Sequence, residues 1–114
     1  MSLEALYVVQ FGDVTATGLR NGGVVILDSG RMLGGDSGYY YVGKYAIDGA
    51  AITAEIDVVK HDPLWINAFG DSARELKIRL TGAVTGKTIA GIIERVDKPE
   101  IRLPVKLTWT APLP

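Results

Sequence analysis

Apolar and polar residues alternate with a period of two along most of the chain, a pattern typical of half-buried β-strands. The alternation is strict in LKIRLT at 76–81 and recurs in IRLPVKLTW at 101–109 and ITAEIDVVK at 52–60. The more apolar segments LYVVQF at 6–11 and TIAGIIERV at 88–96 are also typical of strands. Helical spacing is weak everywhere, so the sequence predicts an all-β protein.

Turn-forming residues separate these segments and predict short connections between successive strands. They are Asn21-Gly22-Gly23, Asp28-Ser29-Gly30, Asp48-Gly49, Thr85-Gly86 and Asp97-Lys98-Pro99. A meander with one apolar face buries that face by closing into a barrel or by folding into a sandwich. We predict the barrel, with eight antiparallel strands in up-and-down order and a single domain over residues 1–114.

Two features interrupt this pattern. Residues 63–73 carry Trp65 and Phe69 and predict a short helical or irregular segment that lies across one barrel mouth. Pro104 has no N–H, which predicts an unpaired or bulged position in the last strand and an incomplete barrel there.

Composition narrows the classes of function. Twelve basic and thirteen acidic residues give a net charge of −1, which leaves no basic surface for direct binding of nucleic acid. No cysteine is present, so disulfides and thiolate metal sites are excluded. No apolar run approaches the roughly 18 residues of a membrane helix, and the N-terminus has no signal-peptide pattern. We therefore predict a cytoplasmic protein without a metal or cofactor.

The segment GDSG at 35–38 matches the sequence around the nucleophilic serine of trypsin-like proteases, which makes Ser37 a candidate nucleophile. The chain has one histidine, His61, as the only histidine base available for it. Asp and Ser between glycines are also typical of a tight turn, because their side chains bond to the local backbone. The segment GAVTGKT at 82–88 has one residue too few for a phosphate-binding loop and favours a β-hairpin. We therefore predict no catalytic residue and no enzymatic activity.

The tyrosines that follow this turn divide between the two faces of one predicted strand. Tyr39, Tyr41 and Tyr45 share the inward parity, and their rings can cover the gap left by Gly43. Tyr40 has the opposite parity. Tyrosine is enriched in protein interfaces, so Tyr40 is a candidate for a partner surface.

The first third of the chain resembles the GrlR family, negative regulators of bacterial type III secretion. The resemblance covers ALYVVQF at 5–11 and GGVVILDSGRMLGGDSGYYYVGKY at 22–45, and beyond residue 45 only the strand rhythm is similar. It implies a lipocalin-like eight-stranded barrel, a homodimer and a non-enzymatic role through a protein partner, in that family a helix-turn-helix transcription activator. The motif residues that carry the resemblance are Gly30, Gly34, Gly35, Asp36, Tyr41 and Gly43, with Tyr7, Phe11 and Met32.

The chain departs from the family at one surface. The family's best-known member carries the acidic run Glu-Asp-Glu-Asp on the loop after the Tyr-x-Gly strand. The corresponding turn here reads AIDGA at 46–50 and has a single carboxylate, Asp48. Asp48 is therefore the one candidate on that turn for recognition of a partner, and the family's acidic surface does not carry over.

Two functions of different classes remain open. The first is a regulatory protein that acts by protein–protein binding, with a barrel interior filled by apolar side chains. The alternative is a carrier of a small apolar ligand, with Trp65 and Phe69 in a lid and Trp109 in the wall of a cavity.

Overall fold

Eight antiparallel strands form a closed barrel in the computed structural model, which describes residues 3–13 and 16–114 apart from the side chains of residues 13, 16–18, 20 and 21. Each strand pairs with the next one along the chain, and the eighth pairs with the first. The up-and-down barrel predicted from the alternation is confirmed. The strands are β1 (Ala5–Asp13), β2 (Ala16–Asp28), β3 (Arg31–Gly35), β4 (Tyr39–Asp48), β5 (Ala51–Lys60), β6 (Glu75–Thr85), β7 (Thr88–Arg95) and β8 (Arg102–Pro112).

The alternation in the sequence sets which side chains face the barrel interior. In β5 and in the first half of β6 every second residue is buried and its neighbours are exposed. Antiparallel pairing places these apolar residues in register, as with Ile56 opposite Ile78. At about 25 cal/mol per Å² of buried apolar surface, this interior is the main favourable contribution to stability.

The two ends of the barrel differ in their connections. At the hairpin end, tight turns at Ser29-Gly30, 49–50 and 86–87 join the strands. Large side chains fill this end, and those that are almost completely buried include Tyr7, Leu27, Ile52 and Ile89. The opposite, loop end carries longer connections at residues 36–38, 61–74 and 96–101.

The predicted interruptions have different outcomes. Residues 63–73 form turns and bends, so the irregular alternative is correct and the helical one is wrong. The incomplete barrel predicted at Pro104 is also wrong, because the barrel is closed, but the unpaired position predicted there is correct on the side that faces β1. Pro104 pairs in register with Ile92, and pairing of β8 with β1 begins at Val105. A residue without an N–H is therefore accommodated where β1 no longer needs a donor.

No helix in the described part of the chain is long and apolar enough to cross a membrane.

Candidate functional site

A cavity of about 400 Å³ lies inside the barrel at its loop end. The expectation of a completely filled interior is therefore wrong. The inward residues there include several valines, whose short side chains do not reach across an eight-stranded barrel. The aliphatic residues in the cavity wall are Val9, Val25, Met32, Ile56, Val58, Leu76, Ile78, Leu80, Ile93, Val105 and Leu107.

The connection between β5 and β6 forms the roof of this cavity, and we call residues 61–74 the roof segment. Trp65 and Phe69, which the sequence suggested as a lid, both line the cavity. Phe69 is buried, whereas Trp65 is half exposed. The Trp65 ring contacts Gly38 in the β3–β4 turn, and the His61 N–H donates to the Gly38 carbonyl at 2.8 Å. The roof segment is therefore fitted to that turn.

A polar network holds the other half of the roof segment. Asn67 Nδ2 donates to Asp71 Oδ1 at 2.6 Å, and Asn67 Oδ1 accepts from the Phe69 N–H at 2.9 Å. Asp71 also accepts a hydrogen bond from Arg95, which is 5 % exposed and reaches Asp97 at 2.9 Å and 3.0 Å. Arg95 therefore ties the roof segment to the β7–β8 connection, since its guanidinium bonds to carboxylates on both sides.

These contacts lower the pKa of both carboxyl groups. Burial acts to raise the pKa of Asp71, but the hydrogen bonds from the Ala73 N–H, Asn67 and Arg95 outweigh it, so that the pKa lies below its usual value. The hydrogen bonds from Arg95 lower the pKa of Asp97. Both shifts favour the charged network near neutral pH.

The GDSG segment is the turn between β3 and β4, anchored by Asp36. Its Oδ1 accepts from the N–H groups of Gly38 at 2.9 Å and Tyr39 at 2.8 Å, and its Oδ2 accepts from the Tyr41 hydroxyl. The Ser37 side chain is exposed, and His61 Nε2 lies 3.0 Å from the Asp36 backbone oxygen and not on the Ser37 hydroxyl. The turn interpretation of Ser37 agrees with this geometry.

The tyrosines divide between the faces as predicted, with Tyr39, Tyr41 and Tyr45 inward and Tyr40 outward. Burial raises the pKa of Tyr41, and its hydrogen bond to Asp36 raises it further. The Tyr39 hydroxyl is buried and has no hydrogen-bond partner among the described residues. Asn67 is nearby, but its amide groups are committed to Asp71 and Phe69.

The motif glycines lie where neighbouring backbone approaches closely. A Cβ on Gly34 would be 2.0 Å from the Val24 carbonyl oxygen, and one on Gly43 would be 2.4 Å from that of Glu55. A Cβ on Gly35 would be 2.9 Å from the Tyr39 carbonyl oxygen. Gly30 differs, because a Cβ there would make only an ordinary contact of 3.8 Å with the Tyr45 carbonyl oxygen, and its φ in the β2–β3 turn is +80°. The resemblance thus involves residues required by the fold.

A continuous apolar surface covers the outside of β1–β5, and we call it the apolar face. Register places its members in two rows across the strands. Tyr40, Val42 and Val24 are 45 %, 48 % and 43 % exposed, which is high for side chains of this kind. The first row is Leu6, Ile26, Leu33 and Val42, and the second is Val8, Val24, Tyr40 and Val59, with Gly35 between Val24 and Tyr40.

Charged residues border the apolar face on two sides. Towards the hairpin end, register aligns a row of both signs: Asp28, Arg31, Lys44, Glu55 and Arg79. Beyond Val42 the first row continues into Asp57, which forms an exposed ion pair with Lys77 at 3.8 Å. On the far wall Arg102 pairs with Glu94 at 3.3 Å, and Ile92 is an exposed apolar residue outside the two rows.

Asp48 and Trp109 lie apart from these two sites. Asp48 is exposed at the hairpin end of β4, whereas Tyr40 is near the loop end of the same strand, so the two do not form one surface. Trp109 packs against the core at the hairpin end, 5.1 Å from Lys87 Nζ, and does not line the cavity.

Sequence reasoning missed the Asn67–Asp71–Arg95 network and most of the apolar face. A signal for Arg95 was present, because it shares the inward parity of Ile89 and Ile93 in β7. A charged residue at such a position requires a partner. The apolar face was harder to find, since its rows form only after the register between strands is known.

No significant match was found between this sequence and any protein-family model or any curated protein.

Proposed function

We propose that this protein is a non-enzymatic regulatory protein that acts by protein–protein binding and forms a homodimer through the apolar face. The observation that carries the proposal is the pair of apolar rows on β1–β5, which brings eight apolar side chains together on the outer wall. Contiguous exposed apolar patches on soluble proteins mark interaction sites. A border of charged residues around an apolar centre is the usual arrangement in an interface.

A second copy of the chain is the occupant that fits the border best. The row beside the apolar face carries both signs, with Arg31 and Lys44 between Asp28 and Glu55. In a two-fold dimer each patch meets its own copy, so a border of mixed sign can place opposite charges across the axis. A surface of one sign would repel its copy.

A further protein partner is proposed from the resemblance to the GrlR family, with a transcription regulator as its class. The resemblance rests on residues 5–45, and this chain has no acidic run on the turn at 46–50. The partner surface therefore differs from that of the family's best-known member. Tyr40 is the aromatic side chain on the apolar face and the expected anchor.

The dimer is tested by sedimentation equilibrium at protein concentrations up to about 100 µM, a range that detects dissociation constants of micromolar order. The wild type is expected at twice the mass of the chain. Val24→Lys places an unpaired charge inside the face, where the register partners of residue 24 are Val8 and Gly35, and is expected to give a monomer with an unchanged circular dichroism spectrum. Thr81→Lys, an exposed change on the far wall, is the matched control. A wild type that remains monomeric throughout would refute the dimer.

Binding of a small apolar ligand is a second candidate, and the cavity specifically favours it. A volume of about 400 Å³ lies within the roughly 300–1,000 Å³ of ordinary small-molecule sites. Native mass spectrometry tests this function on freshly purified protein. A reproducible excess of a few hundred daltons that disappears on denaturation would support it, and a clean chain mass followed by no uptake of any apolar compound would refute it.

A further inference from the structure

The cavity is lined by one carboxylate and by no described cation, which restricts the charge of a ligand that it can hold. Among the described residues that line it, Asp36 is the only one with a charged side chain. Of the three Lys and Arg side chains in or beside the roof segment, Arg74 is exposed and lies outside the cavity lining, and the other two are occupied elsewhere. Lys60 Nζ donates to the Ser72 carbonyl at 3.0 Å, and Arg95 is paired with Asp71 and Asp97. No described cation therefore faces the cavity to receive an anionic group.

Asp36 is held as an acceptor by its surroundings. Three donors point at its carboxylate: the N–H groups of Gly38 and Tyr39 and the hydroxyl of Tyr41. A carboxylate has about four lone-pair directions, so one acceptor position remains. Asn67, the other strongly polar group in the lining, has its amide committed to Asp71 and Phe69.

Ser37 and the tyrosine hydroxyls add neutral polar groups but no positive charge, and the rest of the wall is apolar, so a ligand that enters leaves water behind. An anionic headgroup beside Asp36 would be buried without a counter-charge and close to a like charge, and both effects are unfavourable in a medium of low dielectric constant. A hydroxyl or amine headgroup could instead donate to Asp36 and leave its hydrocarbon part against the aliphatic wall.

The geometry points to a cavity selective for uncharged apolar molecules that end in a hydrogen-bond donor, such as long-chain alcohols, and closed to the corresponding carboxylates. This inference rests on the second candidate function, ligand binding. Asp36 is the residue that determines the selectivity, and the roof segment, with Trp65 and Phe69 in its inner surface, covers the ligand.

Fluorescence titration of the full chain tests this with two probes of similar aromatic body, neutral N-phenyl-1-naphthylamine and anionic 8-anilinonaphthalene-1-sulfonate. The neutral probe is expected to bind at least about tenfold more tightly, which corresponds to about one like-charge contact at partial burial. 1-Decanol should displace it, and decanoate should not do so at comparable concentration.

Substitutions in the cavity wall locate the bound probe, and one at Asp36 tests the source of the selectivity. Val105→Trp fills the cavity and should abolish binding, and Ile78→Trp does the same from the neighbouring wall if the first variant does not fold. Thr81→Trp on the outer wall is the control and should bind as the wild type does. Asp36→Asn should bring decanoate binding to within about threefold of decanol binding, because the like charge is gone.

The possible failures are distinct. If probe binding is absent, or if it survives both cavity-filling variants, then ligand binding in the cavity is refuted together with the selectivity. If both probes bind in the cavity with equal affinity, or if Asp36→Asn leaves the preference intact, ligand binding stands and the proposed role of Asp36 is refuted.

Discussion

The Trp65 ring occupies the position where a side chain on Gly38 would begin. A Cβ placed on Gly38 would lie 2.2 Å from both Cδ1 and Cγ of Trp65, well inside van der Waals contact. The Gly38 carbonyl also accepts hydrogen bonds from the N–H groups of His61 at 2.8 Å and Asp62 at 3.3 Å. The β3–β4 turn and the roof segment are therefore fitted to each other through one glycine.

Gly38→Ala should destabilise the protein by about 1–3 kcal/mol, because the added methyl group displaces the Trp65 ring. In a Trp65→Ala background the same change should cost much less, since the space is then empty. Urea unfolding of the four proteins in this double-mutant cycle measures the coupling. Costs that simply add would mean that Trp65 does not occupy this position in solution.

Two neighbouring tyrosines with the same parity should respond oppositely to loss of the hydroxyl group. Tyr39→Phe should leave the free energy of unfolding unchanged or raise it, because its buried hydroxyl has no partner among the described residues. Tyr41→Phe should lower it by about 1.5–3 kcal/mol, since a hydrogen bond to the Asp36 carboxylate is lost. Chemical denaturation compares them directly, and a larger cost at Tyr39 than at Tyr41 would contradict the assignment.

Alkaline pH should weaken the contribution of Tyr41. Burial and the hydrogen bond to Asp36 raise its pKa above the ordinary value of 10.0. Because the folded-state pKa is raised, the protonated Tyr41 hydroxyl makes its full contribution to stability at every pH below 10. This contribution is lost progressively as the pH rises above 10. The deficit of Tyr41→Phe relative to the wild type should therefore shrink above about pH 10.

Thermal unfolding between pH 8 and pH 11 measures that deficit. Val58→Ala is the control, because it also removes buried contacts in the cavity wall but changes no titrating group. Its deficit should stay constant over the range. A constant deficit for Tyr41→Phe as well would contradict the assignment.

Acidic pH should weaken the network that holds the roof segment. The pKa of Asp71 is below its ordinary value of 3.8 in the folded protein. A lowered pKa stabilises the folded state above pH 3.8, and this contribution is lost as the pH falls through the folded-state value. Asp71→Asn should therefore be less stable than the wild type near neutral pH, and the difference should diminish below about pH 4.

The measurement is the thermal midpoint of both proteins between pH 7 and pH 2.5. Ser72→Ala, an exposed neighbour without a titrating group, should differ from the wild type by the same amount at every pH. If the difference for Asp71→Asn is equally constant, its carboxyl group does not support the roof segment through its charge.

The fold was largely predictable because most strands can be recognised from the alternation of apolar and polar residues in their own sequence. The strict alternation in β5 and β6 fixes both the strand and its buried face, and Asp48-Gly49 marks the hairpin between β4 and β5. The faces of Tyr39 and Tyr40 were also predicted correctly, because adjacent residues of a strand point to opposite faces of the sheet. This prediction does not depend on which strand lies alongside.

The site was less predictable because it depends on distances across the barrel. The sequence suggested Trp65 and Phe69 as a cover but left a filled interior and a ligand cavity both open, because the unfilled volume follows from side-chain sizes on several strands at one height. The contact between Trp65 and Gly38 joins two connections that are far apart in sequence. Trp109 has the parity of Leu107, but it lies at the filled end of the barrel.

Pairing of β8 with β1 limits how any partner can recognise this protein. In a closed ladder every strand has a neighbour on each side, so a peptide cannot add a complete strand to the sheet through its main chain. Affinity must come mainly from side chains, because main-chain pairing along a whole strand, which accepts almost any extended sequence, is not available. Recognition by this barrel is therefore sensitive to single substitutions on its surface, and a change of partner requires no change in the fold.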